Sequence, residues 1–192
     1  MNITFIGNCQ TIALCFLFQE LLHSDEDYYV CWIMYGEDFN RFIGDWTNKC
    51  KNKILTYDNA IQQLIKSDIV IYQNVCKSKS LFCNTENILE IVNKNCKMIH
   101  ISSMHLDYSC YEDSLKDLQR REENLNVNFK VSNIIEKFKN KKLFLSKWHP
   151  NTFLFLNIVK ELCIIINIEF FTDEDYNNLL KNDNIVELPE LQ

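Results

Sequence analysis

The chain has 192 residues, a formal net charge of −6, 47% hydrophobic and 12% aromatic residues, and few glycines (3) or prolines (2). That length suits one domain with a full core, and the apolar content excludes a disordered tail. The acidic balance argues against nucleic acid as a main partner, since such binders carry a basic surplus.

Asn2–Ile6 reads as a short buried strand, and Thr11–Leu22 as a helix with Ala13, Leu14, Leu17 and Leu21 along one side. Between them lies the turn Gly7-Asn8-Cys9-Gln10, where Gly7 lets the backbone bend tightly. Tyr28–Met34 is β-rich and reads as a second strand. Gly36–Asn52 reads as irregular. Asp58 is placed to cap a helix over Asn59–Lys66. Asp68–Tyr72, apolar on both faces, is a third strand of the kind found in parallel sheets covered by helices. Thr85 caps a helix to Asn93, and Met98–Ile101 is a fourth strand. Tyr111–Leu125 and Ser132–Lys139 are charged helices. Asn151–Ile166 is a strongly apolar helix.

This order predicts an α/β fold: a three-layer sandwich with a mostly parallel sheet. The expected organisation is one domain over 1–181, with the polar segment 182–192 as a terminal tail or the start of a linker. In such sheets ligands sit beyond the carboxyl ends of the strands. Three polar clusters fall there: Gly7-Asn8-Cys9-Gln10, Gln73-Asn74, and Ser102-Ser103-Met104-His105.

Nine cysteines, odd in number and irregular in spacing, include no CxxC and no zinc-finger pattern. A reducing, cytoplasmic compartment is expected, with Cys15, Cys31 and Cys163 as small core residues. The same absence of paired Cys/His spacings disfavours a metal. No signal peptide is visible, and no apolar run reaches membrane-spanning length, so a soluble protein without a membrane partner is expected. The abundance of Asn, Ile and Lys matches AT-rich coding, as in some viruses and protists.

Two features carry chemistry. Cys9 stands in a strand-to-helix turn. Unpaired N–H groups at a helix start favour a thiolate and can hold an oxyanion. The same pattern also fits a buried cysteine after an ordinary βα turn. Late in the chain, Ser146-Lys147-Trp148-His149-Pro150 displays a histidine directly before proline. Proline disfavours the helical region for the residue before it, which puts His149 on a loop at a helix start. That place suits a general base, and equally a capping histidine.

The GNCQ turn, the strand end Asp68-Ile69-Val70-Ile71-Tyr72-Gln73, and the segment Leu143-Phe144 to His149-Pro150 together resemble the WcbI-like family of polysaccharide biosynthesis proteins, over residues 2 to about 165. The resemblance implies an SGNH-hydrolase-like architecture with cysteine in place of the nucleophilic serine. It also implies coenzyme A binding and acetyl transfer to sugars of capsules and glycans. By position, Cys9 matches the nucleophile and His149 the late catalytic histidine. The Gln10 backbone N–H matches an oxyanion donor, with Asn8 beside it, and Gln73 or Asn74 matches the third-block donor. The chain departs from the pattern three residues before the histidine, where the usual acid is Ser146. Asp107 is a carboxylate that could substitute for it.

The expected reaction is therefore acetyl transfer from acetyl-CoA to an amino or hydroxy sugar carried on a nucleotide. It runs either through an acyl-Cys9 or by direct attack with His149 as base. Lys77, Lys79, Arg120 and Arg121 are candidate partners for the coenzyme's phosphates, although charged residues of this kind are mostly solvated surface. Trp148 is a candidate to stack on adenine or sugar, or a core residue beside Phe144. Ser103 and His105 are candidates for acceptor binding, and His23 and His100 read as structural. Two rivals share the residues: a thiol-dependent esterase or deacetylase, which has no need of coenzyme A, and a non-catalytic glycan-binding module, in which Cys9 would be buried and unreactive.

Overall fold

The computed structural model describes residues 1–22, 29–34, 43–47, 50–54, 57–74, 84–169 and 172–181. These fall into two compact units, Met1–Ser103 and Met104–Gln192.

The first unit is a mixed α/β layer structure. Its strands are β1 (Asn2–Gly7), β2 (Tyr29–Met34), β3 (Ile43–Thr47), β4 (Cys50–Ile54), β5 (Ile69–Gln73) and β6 (Lys97–Ile101), in the sheet order β4-β3-β2-β1-β5-β6. β1 pairs in parallel with both β2 and β5, and β5 in parallel with β6. β1 is therefore central. The helices are α1 (Cys9–Leu21), α2 (Tyr57–Lys66) and α3 (Thr85–Ile91).

Strand alternation sends neighbouring side chains to opposite faces. Ile6 and Val70 pack with Ala60 and Leu64 of α2 and Ile88 of α3 on one face. Phe5 meets Phe18 of α1 on the other, with ring centroids 5.5 Å apart. The sheet is thus covered on both sides, which is why β5 reads as an unbroken apolar run and β1 is buried from Ile3 to Gly7. Each large aliphatic side chain buried here contributes about 1.5–3 kcal/mol. His100 lies inside β6, buried and stacked on Tyr72 with centroids 4.8 Å apart, in keeping with a structural role. His23 falls outside the described residues.

Several local expectations are corrected. The 36–52 region contains β3 and the start of β4, which pair antiparallel with β2 and with each other. The Gly, Asp, Asn and Lys residues there hide strands that main-chain pairing at a sheet edge creates. α2 begins at Tyr57, so Asp58 sits in its first turn and does not precede it. The cap of α3 is Asn84, whose side chain accepts from the Asn87 N–H at 3.0 Å, and not Thr85. Asn and Thr are both good caps, and spacing alone does not choose between neighbours.

The second unit holds a 3-10 turn (Tyr108–Cys110), α4 (Tyr111–Asn124), α5 (Val131–Lys137), the small antiparallel hairpin β7 (Phe144–Ser146) and β8 (His149–Pro150), α6 (Thr152–Ile166) and α7 (Asp173–Leu180). Glu122 of α4 is buried. Its carboxylate accepts from the Val131 N–H at 2.7 Å, and from the N–H and hydroxyl of Ser132, closing the start of α5. α6 is capped by Asn151, which accepts from the Leu154 N–H at 2.9 Å. Pro150 belongs to β8, ahead of that cap, and not to the helix's first turn. Cys15 and Cys163 are buried as expected, while the Cys31 side chain and residues 182–192 fall outside the described residues. Among the described residues no helix is long and apolar enough to cross a membrane.

Candidate functional site

The parallel register fixes one edge of the first unit. Ile6 lies beside Tyr72, and Gln73 beside Ile101. The carboxyl ends of β1, β5 and β6 therefore bring Asn8-Cys9-Gln10, Asn74 and Ser102-Ser103 to the same edge of the sheet.

Cys9 is the first residue of α1 and is exposed. The alternative of a buried cysteine at this turn does not describe it. Asn8 caps the helix, its side-chain oxygen accepting from the Gln10 N–H at 2.9 Å. The Asn8 carbonyl accepts from the N–H groups of Thr11 (3.0 Å) and Ile12 (3.3 Å). Of the four N–H groups at this helix start, three are thereby engaged. The Gln10 N–H expected to face an oxyanion is turned to its own cap. The N–H of Cys9 itself has no hydrogen-bond partner among the described residues.

Gln73 is buried and locks this turn. Its Oε1 accepts from the Asn8 N–H at 3.1 Å, and its Nε2 donates to Gln10 Oε1 at 3.3 Å. It is a positioning residue for the turn. Asn74 is exposed, and its Oδ1 accepts from the Thr85 hydroxyl at 2.7 Å.

Gly7 has an unexpected reason to be glycine. Its φ is not positive, so no special backbone conformation is required. A methyl group added there would run into Thr11 Oγ1 and lie 2.7 Å from Gln73 Oε1. The residue is small because the Gln73 lock passes through the space a side chain would fill.

The second unit carries the other candidates. His149 is exposed on β8, opposite Ser146 in the hairpin register. Ser146 Oγ and His149 Nδ1 are 2.6 Å apart. A neutral imidazole that donates from Nδ1 to this hydroxyl keeps a lone pair on Nε2, the form a general base requires. Ser146, and not Asp107, is the hydrogen-bond partner of His149. Asp107 instead accepts from the N–H (3.0 Å) and hydroxyl (2.7 Å) of Ser109 and pairs with Lys147 at 3.2 Å. The Ser109 hydrogen bonds, then Lys147, hold its carboxyl down at about 2.

The hairpin is anchored from below. The Tyr108 hydroxyl accepts from the N–H groups of Leu143 (2.7 Å) and Phe144 (3.1 Å), and the Leu106 N–H donates to the Lys147 carbonyl at 3.0 Å. Trp148 is 56% exposed, so it is not a core residue beside the fully buried Phe144. Its indole stacks on His105 with centroids 4.0 Å apart. Burial, with the positive charges of Lys147 and Arg121, pushes the His105 pKa down.

Arg120 and Arg121 lie on α4 and share Asp117, at 2.6 and 3.0 Å. A phosphate reaching them competes with that carboxylate. Lys77 and Lys79 fall outside the described residues. The structure thus joins Asn8, Gln10 and Gln73 in one network, Ser146 with His149, and His105 with Trp148. Cys9 belongs to the first unit and His149 to the second.

Sequence reading missed Tyr108, Lys147 and Thr11 as supports. Tyr108 acts across 35 residues, and no local pattern marks such a pairing. Comparison of the chain with protein-family models, curated proteins and solved structures finds no match.

Proposed function

We propose that the chain is an acetyltransferase that moves the acetyl group of acetyl-CoA to an amino or hydroxy sugar carried on a nucleotide, on an SGNH-like sheet. The observation that carries this reading is the exposed thiol of Cys9 at the first position of α1, beyond the carboxyl end of the central parallel strand. The hydrogen-bonded Ser146–His149 pair supports it.

In this reading the Cys9 thiolate attacks the thioester carbonyl. The carbon–sulfur bond to coenzyme A breaks, and the coenzyme leaves as a thiolate that takes up a proton. Both thiols are similar leaving groups, so the exchange is close to balanced. A general base, the role this reading assigns to His149, then removes a proton from the acceptor amine or hydroxyl as that atom attacks the acyl-Cys9, and the Cys9 thiolate departs. Each tetrahedral oxyanion needs fixed donors. In this reading that role falls to the Cys9 N–H and the Asn74 amide, each worth about 3 kcal/mol of barrier.

Calorimetry or thermal shift with coenzyme A and acetyl-CoA tests the donor half directly. Micromolar binding is expected, and ligand at 100 times Kd stabilises the fold by about 2.7 kcal/mol. No binding of either ligand, with Cys9 still alkylated by iodoacetamide, would replace the reading with a thiol hydrolase. Cys9→Ser separates the routes, since loss of activity follows from an acyl-Cys9 and retention from direct transfer.

A further inference from the structure

The tip of the β7–β8 hairpin holds a large aromatic surface open to solvent. Trp148 is 56% exposed and Leu145 is 67% exposed, on a hairpin whose Phe144 is fully buried. A lone exposed apolar residue is ordinary; Trp148 differs in being stacked on a second ring and in standing directly before His149.

The indole is also fixed. It lies on the His105 ring with centroids 4.0 Å apart and planes 21° from parallel. Its neighbour Lys147 is tied twice to the 106–107 segment, by the Leu106 N–H at 3.0 Å and by Asp107 at 3.2 Å. On the other side, His149 is held by Ser146. A side chain immobilised before its ligand arrives loses little entropy on binding. His105 is itself committed to this role. Its Nε2 is buried without a hydrogen-bond partner among the described residues, so ring stacking is the contact that engages it.

We infer that Trp148, seated on His105, is a stacking platform for the apolar C–H face of a pyranose ring, one residue before His149. The chemistry favours a sugar. An indole face carries the negative side of the ring quadrupole, and the C–H groups of a pyranose are its partially positive complement. Burial, then the Lys147 and Arg121 charges, lower the His105 pKa against the opposite pull of Asp107 and Asp117, which favours the uncharged imidazole. An uncharged ring leaves the face above it electron-rich. His105 is then a positioning residue for Trp148 and does not touch the sugar. Only the identification of that sugar as the acetyl acceptor rests on the function proposed above.

The test is the set of indole N–H signals of the full chain in a proton–nitrogen NMR spectrum, with the Trp148 signal identified by its loss in Trp148→Phe. Methyl glucosaminide should move that signal along a saturating curve, while adenosine leaves it in place. His105→Ala should raise the apparent Kd about three- to tenfold, the range expected for one lost ring contact. The remaining indole signals report whether that variant is folded. If it is not, Trp148→Ala should abolish the glycoside-induced shifts seen elsewhere in the spectrum. A Trp148 signal that ignores the glycoside, or that responds to adenosine alone, overturns the inference. Because binding is read without turnover, a protein that binds the glycoside through Trp148 yet transfers no acetyl group refutes the proposed reaction and leaves the platform standing.

Discussion

At the scale of single residues, the GNCQ turn is built by exclusion as much as by attraction. Gly7 carries no side chain, which leaves room for Thr11 Oγ1 and Gln73 Oε1 where a Cβ would stand, and Gln73 holds both Asn8 and Gln10. Gly7→Ala should cost about 1–3 kcal/mol, the usual penalty for overpacking, read as a lower denaturation midpoint. An unchanged midpoint would mean that the lock moves aside freely. Ser146 stands three residues before the histidine, and its hydroxyl reaches the ring. Its hydroxyl orients the ring but supplies no charge, unlike a carboxylate. Ser146→Ala should lower kcat about tenfold, the value of one lost hydrogen bond, with acceptor KM unchanged and Ser146→Thr restoring the rate. A change confined to KM would assign Ser146 to acceptor binding instead.

At the scale of elements, the second unit depends on a carboxylate acting as the start of a helix. Glu122 satisfies the N–H groups of Val131 and Ser132, which are otherwise orphans of the first turn of α5. Glu122→Ala should destabilise the chain by about 2–4 kcal/mol, because two donors are left buried without a partner. Glu122→Gln keeps an acceptor oxygen and should cost less than half as much. Burial raises the Glu122 pKa, and the Ser132 and Val131 hydrogen bonds only partly offset it. The native state therefore holds this proton more tightly than the unfolded chain does. The contribution of Glu122 is full below the ordinary glutamate pKa and declines as pH rises through the raised one. The stability of wild type minus that of Glu122→Gln, followed by urea denaturation across pH, should shrink as pH rises. A difference that grows with pH would mean that the helix-start hydrogen bonds outweigh burial.

At the scale of the whole molecule, the apolar strands and long helices were legible, and what lacked an apolar signature was not. β5 is buried on both faces and announces itself as the continuous run Ile69-Val70-Ile71. β3 and β4 exist because β2 offers an edge, a fact written in the sheet and not in residues 43–54. The same divide runs through the candidate site. The strand-to-helix turn that carries Cys9 was legible, whereas His149, expected on a loop, lies on the short strand β8. The engagement of the Gln10 N–H by Asn8, the Tyr108 anchor and the His105–Trp148 stack depend on distances that no spacing encodes. The acidic balance and nine irregular cysteines point to none of these residues. The most direct test of the central claim is release of free coenzyme A from acetyl-CoA, with and without amino sugars and sugar nucleotides, by wild type, Cys9→Ala and His149→Ala. The account predicts acceptor-dependent release that falls by about a hundredfold or more in each variant. Wild-type release in both variants, or release indifferent to every acceptor, would contradict it.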